Sequence, residues 1–377
     1  MTSSAVLSSP PAQAAAAPGR QLGLDVLRCL SIYFAVIAHA AAVLLNYPDM
    51  PVRWFTATTI TAIAFLNIPS LLMITGALML SPRAAAKEPN PGEFYRKRLP
   101  KLVIPLVAWS FIYYVRNHFT MDTTIFLPTF FKRMATITME GHMWYMYMLL
   151  GVYITLPFLR ALDIPRQRSL GWWLVGVVFG LHVLNFACLA AWGMPLYHKF
   201  SDEFISVYVG YVVLGWLLYS GPVPSRRWTP LLALILAAGV AGTVWLQYLH
   251  SFVALREDNV YFQHFSPFHI ASGVACFLLF RQAPWRFSPV GTRWLLSLSA
   301  CSYGIYLVHI LVLQFFTGVI GHVFDGSILP SLAVPDLAAM GIPEWLGVVL
   351  LSVFIYLVCW VITAGIRKIP YLREIMP

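Results

Sequence analysis

Ten long apolar runs constrain this chain more than any other feature of its sequence. Crossing the hydrocarbon core of a bilayer takes about 20 apolar residues in a helix. A lone strand would leave backbone groups without hydrogen bonds in lipid, and the runs lack the alternation of barrel strands. The sequence therefore predicts an all-α, polytopic membrane protein. The predicted spans are residues 22–45, 55–80, 101–119, 142–160, 171–192, 204–220, 229–249, 266–282, 293–318 and 344–366.

The composition agrees with this class and excludes others. Hydrophobic residues make up 59% of the chain and charged residues 11%, against roughly 25% charged in soluble domains. A cytosolic enzyme and a disordered protein are excluded, and the net charge of +10 does not indicate nucleic-acid binding, because the charges lie between apolar runs. The cysteines lack metal-ligand spacing and are interpreted as small buried side chains: Cys29, Cys188, Cys276, Cys301 and Cys359.

The charges between the predicted spans indicate an orientation. When both termini are placed in the cytoplasm, that side holds 19 Lys and Arg against 5 Asp and Glu, and the opposite side holds 6 against 10. Basic residues concentrate on the cytoplasmic side of membrane proteins. The sequence therefore predicts an N-in, C-in protein of the cytoplasmic (inner) membrane. It divides into a disordered tail (1–20), a membrane domain (21–368) and a short cytoplasmic tail (369–377).

Helix 1 carries ionisable residues, which are costly inside a membrane and point to function. Arg28 and His39 are 11 residues apart, about three turns, so they share one face and lie roughly 16 Å apart. Asp25 precedes Arg28 by one turn and can pair with it. The alternative is that Arg28 reaches the inner surface as an anchor and that His39 is a satisfied core residue.

A basic cluster precedes helix 3, on the predicted cytoplasmic side. Arg96, Lys97, Arg98 and Lys101 lie within six residues, and such a cluster can bind phosphates through bidentate and point-charge contacts. The alternative is an ordinary positive-inside cluster that contacts anionic lipid. Helix 2 contains Pro69 and Gly76, which either line a cavity or make a packing kink.

Polar and aromatic residues gather at the opposite end. Helix 4 opens with Glu140, His142, Trp144 and Tyr145, and helix 9 carries His309 toward its outer end. These side chains can line a sugar-binding pocket, although Trp and Tyr also populate the membrane interface. We expect the loops 120–141, with an amphipathic stretch over 126–134, and 319–343 to cover an outer cavity; loops that only connect helices are the alternative.

With these motifs in hand, the chain resembles the integral-membrane acyltransferase 3 family, in its O-acetyltransferase branch, from about residue 20 to 366. No single motif decides this, but five in order are specific. Where the family has a second Arg in its Arg-x-x-Arg motif, this chain has Lys101, which keeps the charge but not the bidentate geometry. The motifs are Arg28-x10-His39, residues 68–80 (IPSLLMITGALML), Arg98-x-x-Lys101, residues 141–145 (GHMWY) and residues 302–309 (SYGIYLVH).

The resemblance implies transfer of an acyl group, most often acetyl from acetyl-CoA, to a sugar or glycan hydroxyl, without a metal. The basic cluster and Arg28 would bind the CoA phosphates, and His39 would act as general base. Tyr303 would belong to the same substrate pocket as His142 and His309, and either its hydroxyl or a backbone N–H would stabilise the oxyanion. Direct transfer and an acyl-histidine intermediate both remain open, and the latter would give ping-pong kinetics. The rival interpretation is a transporter or flippase of a lipid-linked glycan, for which no inverted repeats are visible.

Overall fold

The computed structural model describes residues 21–42, 51–121, 126–194, 196, 206–253, 260–317 and 341–377. These residues form helices and no strand, which confirms the predicted all-α class. Eight helical segments among them are long and apolar enough to cross a membrane. The predicted tail 1–20 and most of the loop 319–343 lie outside the described residues.

The described residues contain fourteen α-helices. In chain order they are α1 (Leu22–Ala42), α2 (Pro51–Ala64), α3 (Asn67–Met79), α4 (Pro82–Lys87), α5 (Pro91–Arg98), α6 (Pro100–Met121), α7 (Leu127–Thr136), α8 (Trp144–Ala161), α9 (Arg168–Trp192), α10 (Val207–Ser220), α11 (Thr229–Tyr248), α12 (Pro267–Gln282), α13 (Pro289–Phe316) and α14 (Glu344–Ile366). Short 3-10 or π turns join or extend several of them.

Two predicted spans differ from the observed helices. The span predicted over 55–80 is interrupted by a turn at Phe65 and Leu66, which separates α2 from α3. Just after the turn, the Asn67 Oδ1 accepts a hydrogen bond from the Ile68 N–H at 2.6 Å, so the side chain satisfies one backbone donor that the interruption frees. The helix predicted over 204–220 is α10, which has only 14 residues and is about 21 Å long.

α1 lies at the centre of the helix bundle. It packs against α2, α3, α12, α13 and α14, and its Leu27 and Val36 are fully buried. Few positions on α1 can therefore face lipid. The polar residues of α1 consequently face other helices or the cavities between them, which is where ionisable groups in membrane proteins are normally found.

α3 and α10 approach each other closely through two glycines. A Cβ atom at Gly76 would lie 1.8 Å from the Val212 carbonyl oxygen, and one at Gly215 would lie 2.2 Å from the Met73 carbonyl oxygen. Small residues allow such backbone contact between membrane helices. Gly76 is therefore a packing residue, while the interruption of helix 2 lies near Phe65 rather than at Pro69.

We expect Gly76→Ala to lower the melting temperature of the detergent-purified protein. The clash is with backbone, which cannot move aside by changing rotamer, and overpacking typically costs about 1–3 kcal/mol. Gly151→Ala in α8 is the matched control, since a Cβ there would meet nothing within 4 Å. Equal melting temperatures for the two variants would contradict the close α3–α10 contact.

The segments between spans are also ordered in part. The amphipathic stretch predicted over 126–134 is the helix α7, which buries Phe130 and exposes Phe131. In the segment between α4 and α5, Glu88 is buried between two arginines. Its carboxylate accepts hydrogen bonds from the Arg98 Nε at 2.7 Å and from the Arg160 Nη1 at 3.3 Å. This pairing holds the segment with α4 and α5 against the end of α8.

Candidate active site

One cavity is lined by the basic residues Arg28 and Lys101 and is called here the basic cavity. It has a volume of about 300 Å³. Arg28 is fixed there by α1 and α13: its Nη1 lies 3.8 Å from the Asp25 Oδ1 and donates to the Ser299 Oγ at 3.2 Å. Ser299 in turn donates to Asp25 at 2.6 Å. The predicted pairing of Asp25 and Arg28 is therefore present, with a serine between them.

The other predicted donor-binding residues lie apart from this cavity. Arg96 and Lys97 are exposed, and the Lys97 Nζ pairs with the Glu93 carboxylate at 3.0 Å. Arg98 pairs with the buried Glu88. Of the four cations predicted as a cluster, the structure brings only Lys101 together with Arg28.

A second cavity, called here the histidine cavity, has a volume of about 220 Å³. Its lining comes from α1, from α2 and α3 around their junction, from the residues at the start of α8, from the segment before α12 and from Tyr306 of α13. His39 and His142 line it, as predicted residues of the site, together with Trp144 and Tyr145. His264 lines it as well, a residue to which the sequence analysis gave no role.

His309 completes a group of three histidines at this end of the bundle. Its ring centroid lies 5.2 Å from that of His39 and 5.0 Å from that of His142, and the latter two are 6.1 Å apart. His309 is fully buried, and its Nδ1 lies 2.6 Å from the Tyr306 carbonyl oxygen. It stands behind the cavity lining rather than in it. Within the described ranges, no group of His, Cys, Asp and Glu is arranged to hold a metal ion.

The two cavities share part of their lining. Ile32, Leu71, Tyr145 and Tyr306 border both. The same four side chains therefore separate the basic cavity from the histidine cavity. Arg28 and His39, which lie on one face of α1 and roughly 16 Å apart along it, stand on opposite sides of this partition.

Two further predicted residues have positions that the sequence could not give. Tyr303 borders the basic cavity, although it was predicted in the same pocket as His142, and its buried hydroxyl makes no hydrogen bond to any described residue. Glu140 pairs with Arg116 of α6, which also bonds to Gln314 of α13. Glu140 is therefore part of an ion pair beside the histidine cavity.

The predicted short tail, 369–377, packs against the bundle. The Trp109 Nε1–H donates to the Ile375 carbonyl oxygen at 2.9 Å, Met376 is fully buried, and Pro377 borders the basic cavity. The sequence carried little signal for this contact, since a few apolar residues after a basic stretch do not specify a partner.

Comparison with known proteins agrees with this arrangement. The family model described as an acyltransferase domain matches residues 21–364, which include every residue that borders the two cavities except Pro377. No curated protein and no solved structure matches the chain. The match covers most of the chain and confirms the resemblance to the family that the five motifs indicated; the O-acetyltransferase branch stays a prediction. The protein is a membrane acyltransferase and belongs to the acyltransferase 3 family.

Proposed function

We propose that the protein transfers an acetyl or other short acyl group from cytosolic acyl-CoA to a hydroxyl of an extracytoplasmic or lipid-linked sugar or glycan. The observation that carries this proposal is the pair of adjoining cavities. One has the cations that a phosphorylated donor requires, the other has an imidazole that can activate a hydroxyl, and four side chains border both. A transfer between two substrates that arrive from opposite sides needs such an arrangement.

The basic cavity is the proposed donor site. Lys101 is exposed at its edge and Arg28 is half-buried further in, so each can contact a different phosphate of CoA. The Asp25–Ser299 pair fixes one nitrogen of Arg28, and the other N–H groups of the guanidinium can donate to the donor. The thin pantetheine arm would then carry the thioester toward the partition.

The histidine cavity is the proposed acceptor site. Neutral His39 takes the proton of the acceptor hydroxyl as its oxygen attacks the thioester carbonyl carbon. The C–S bond breaks, the acyl group forms an ester with the acceptor, and the proton passes from His39 to the departing CoA thiolate. The unpartnered Tyr303 hydroxyl would donate to the carbonyl oxygen as negative charge develops there.

Further proposals follow from the charge distribution. The +14 balance of the tails and connecting segments on one predicted side supports an orientation with that side in the cytoplasm. The proposed location is the cytoplasmic (inner) membrane, where cytosolic acyl-CoA can reach that side. Arg96 and Lys97, which lie outside the basic cavity and are exposed, would then contact anionic lipid headgroups or the outermost phosphates of the donor.

We expect Lys101→Met to raise the KM for acetyl-CoA about ten-fold and to change kcat little. Removing one charged contact to a phosphate typically costs about 1.5–3 kcal/mol, and solvent at the edge of the cavity reduces that value. The matched control is Lys368→Met, an exposed lysine on the same predicted side that does not border the basic cavity. The measurement is initial rate against acetyl-CoA concentration. An unchanged KM for Lys101→Met, or an equal rise for both variants, would contradict the proposed donor site.

The activity itself can be tested without knowing the acceptor. Membranes containing the protein are incubated with acetyl-CoA that carries 14C in its acetyl group. The label recovered in the lipid and glycan fractions is compared with that from membranes containing the His39→Ala variant. Label that is released by mild base identifies O-acetyl esters, because N-acetyl amides survive that treatment. The proposal fails if the purified wild-type protein neither binds acetyl-CoA nor produces base-labile label above the variant.

A further inference from the structure

His264 lies in the histidine cavity at a fixed position. It belongs to the short segment between a 3-10 turn at Val260–Phe262 and α12. The Tyr211 hydroxyl of α10 donates to the His264 carbonyl oxygen at 2.6 Å, and Ser266 caps α12. The side chain is only 8% exposed and borders the cavity that His39 also lines.

Aromatic rings form one wall of this cavity. The imidazole of His264 stacks on the Trp144 indole, with ring centroids 5.8 Å apart and planes 21° from parallel. The ring centroid of Phe65, at the turn between α2 and α3, lies 5.4 Å from that of His264. All three side chains border the cavity. Phe65, Trp144 and His264 are called here the aromatic wall.

The histidine cavity also has buried polar atoms without a hydrogen-bond partner among the described residues. The His264 Nδ1 and the Thr61 Oγ1 are buried and have no hydrogen-bond partner among the described residues, and both side chains border the cavity. The contact of the His264 ring with the Phe65 carbonyl, which can only accept, favours the neutral tautomer with its N–H at Nε2. In that tautomer Nδ1 is an acceptor. Burial lowers the pKa of His264 to about 3, which keeps the ring neutral.

A hydrocarbon chain in this cavity would leave these polar atoms unpaired at a cost. A hydroxylated ring satisfies them, because its C–H face packs on aromatic rings and its hydroxyls both donate and accept. Asn67 borders the same cavity. Its Oδ1 is used by the Ile68 N–H, so its side chain offers N–H donors.

We propose that the aromatic wall, with Thr61 and Asn67, is an acceptor subsite for a sugar ring bearing at least two free hydroxyls. One hydroxyl donates to the His264 Nδ1, and a second is thereby presented to His39. This inference rests on the proposed function and narrows its acceptor. His264 is a substrate-binding residue that positions the ring, and it takes no part in the transfer of the proton.

Two substitutions separate the contributions of His264. His264→Phe keeps a ring to stack on Trp144 and removes the acceptor, whereas His264→Asn keeps an acceptor oxygen and removes the stack. His182→Ala is the matched control, since that imidazole stacks on the neighbouring Phe265 at 5.3 Å and lies outside the residues that border the histidine cavity. Thermal melting verifies the folding of each variant.

The first experiment compares two acceptor probes, n-octyl β-D-glucopyranoside and 1-octanol, with [14C]acetyl-CoA as donor. We expect His264→Phe to raise the KM for octyl glucoside about ten-fold, as the loss of one hydrogen bond would, with kcat nearly unchanged. The KM for octanol should not change, because octanol has no ring and no second hydroxyl. An unchanged KM for octyl glucoside, or an equal rise for both probes, overturns the subsite.

The second experiment measures binding without turnover. A photoreactive octyl glucoside with a diazirine on its ring is cross-linked to His39→Ala, and labelled peptides are mapped by mass spectrometry. We expect adducts on the peptides that contain Trp144 or His264, and their loss in excess octyl glucoside. Adducts only elsewhere overturn the subsite even if the wild-type enzyme transfers acetyl groups. Absence of transfer to any hydroxyl by the wild-type enzyme contradicts the proposed function instead.

Discussion

Replacing His39 with alanine is expected to lower acyl transfer by about 10²–10⁴-fold, the usual contribution of a general base. His39 borders the histidine cavity and belongs to the helix that also carries Arg28. The proposed donor site is the basic cavity, on the other side of the shared partition, so acetyl-CoA affinity should remain within a few-fold of the wild-type value. The measurements are initial rate of ester formation and equilibrium binding of labelled acetyl-CoA.

The control for this experiment must exclude a folding defect, because α1 is central to the bundle. His250→Ala provides a comparison, since that imidazole lies edge-on to Tyr261 at 5.2 Å, away from the His39 group. Both variants should insert, melt and elute as the wild type does. Ester formation by His39→Ala within a few-fold of the wild-type rate would show that another group is the base.

Most of the fold was predictable because the bilayer restricts the alternatives. A chain that must satisfy every backbone group in lipid forms helices, so long apolar runs give the type of element. Ten spans were predicted, and eight helical segments of the described residues are long and apolar enough to cross a membrane. The position of the turn at Phe65 and Leu66, which interrupts the second predicted span, could not be predicted. Pro69 drew attention to the region, but Pro is tolerated in the first turn of a helix, and there the structure places it, after α3 has begun at Asn67.

The candidate site was predictable where it depends on one helix and less so where it depends on several. Helical periodicity places Arg28 and His39 on one face of α1 without further information. Charge density alone could not separate Lys101 from Arg98, because Arg98 finds its partner in Glu88, ten residues earlier and buried only through tertiary contacts. His264 gave no local signal at all, since its role depends on a stack with Trp144 from a different helix.

The second prediction concerns the orientation of the protein in the membrane, and its test has an all-or-none result. The charge count predicts that α4 and α5 face the cytoplasm and that α7 faces the opposite side. Ala86 of α4 and Ala135 of α7 are both exposed, so Ala86→Cys and Ala135→Cys are a matched pair for labelling. We expect an impermeant thiol reagent on intact cells to modify only the cysteine at position 135, and both to react in permeabilised cells.

The native cysteines permit this experiment with little alteration. Cys188, Cys276, Cys301 and Cys359 are buried and only Cys29 is half-buried, so a single Cys29→Ala background should show low labelling. Lys101 lies near the start of α6, and Arg116, which pairs with Glu140 before α8, lies nearer its end. The two labelling sites therefore report on the two ends of the cavities. Modification at position 86 alone would reverse the topology. The basic cavity would then open away from cytosolic CoA and His39 would face the cytoplasm, so the proposed donor path would be wrong even if the family chemistry were right.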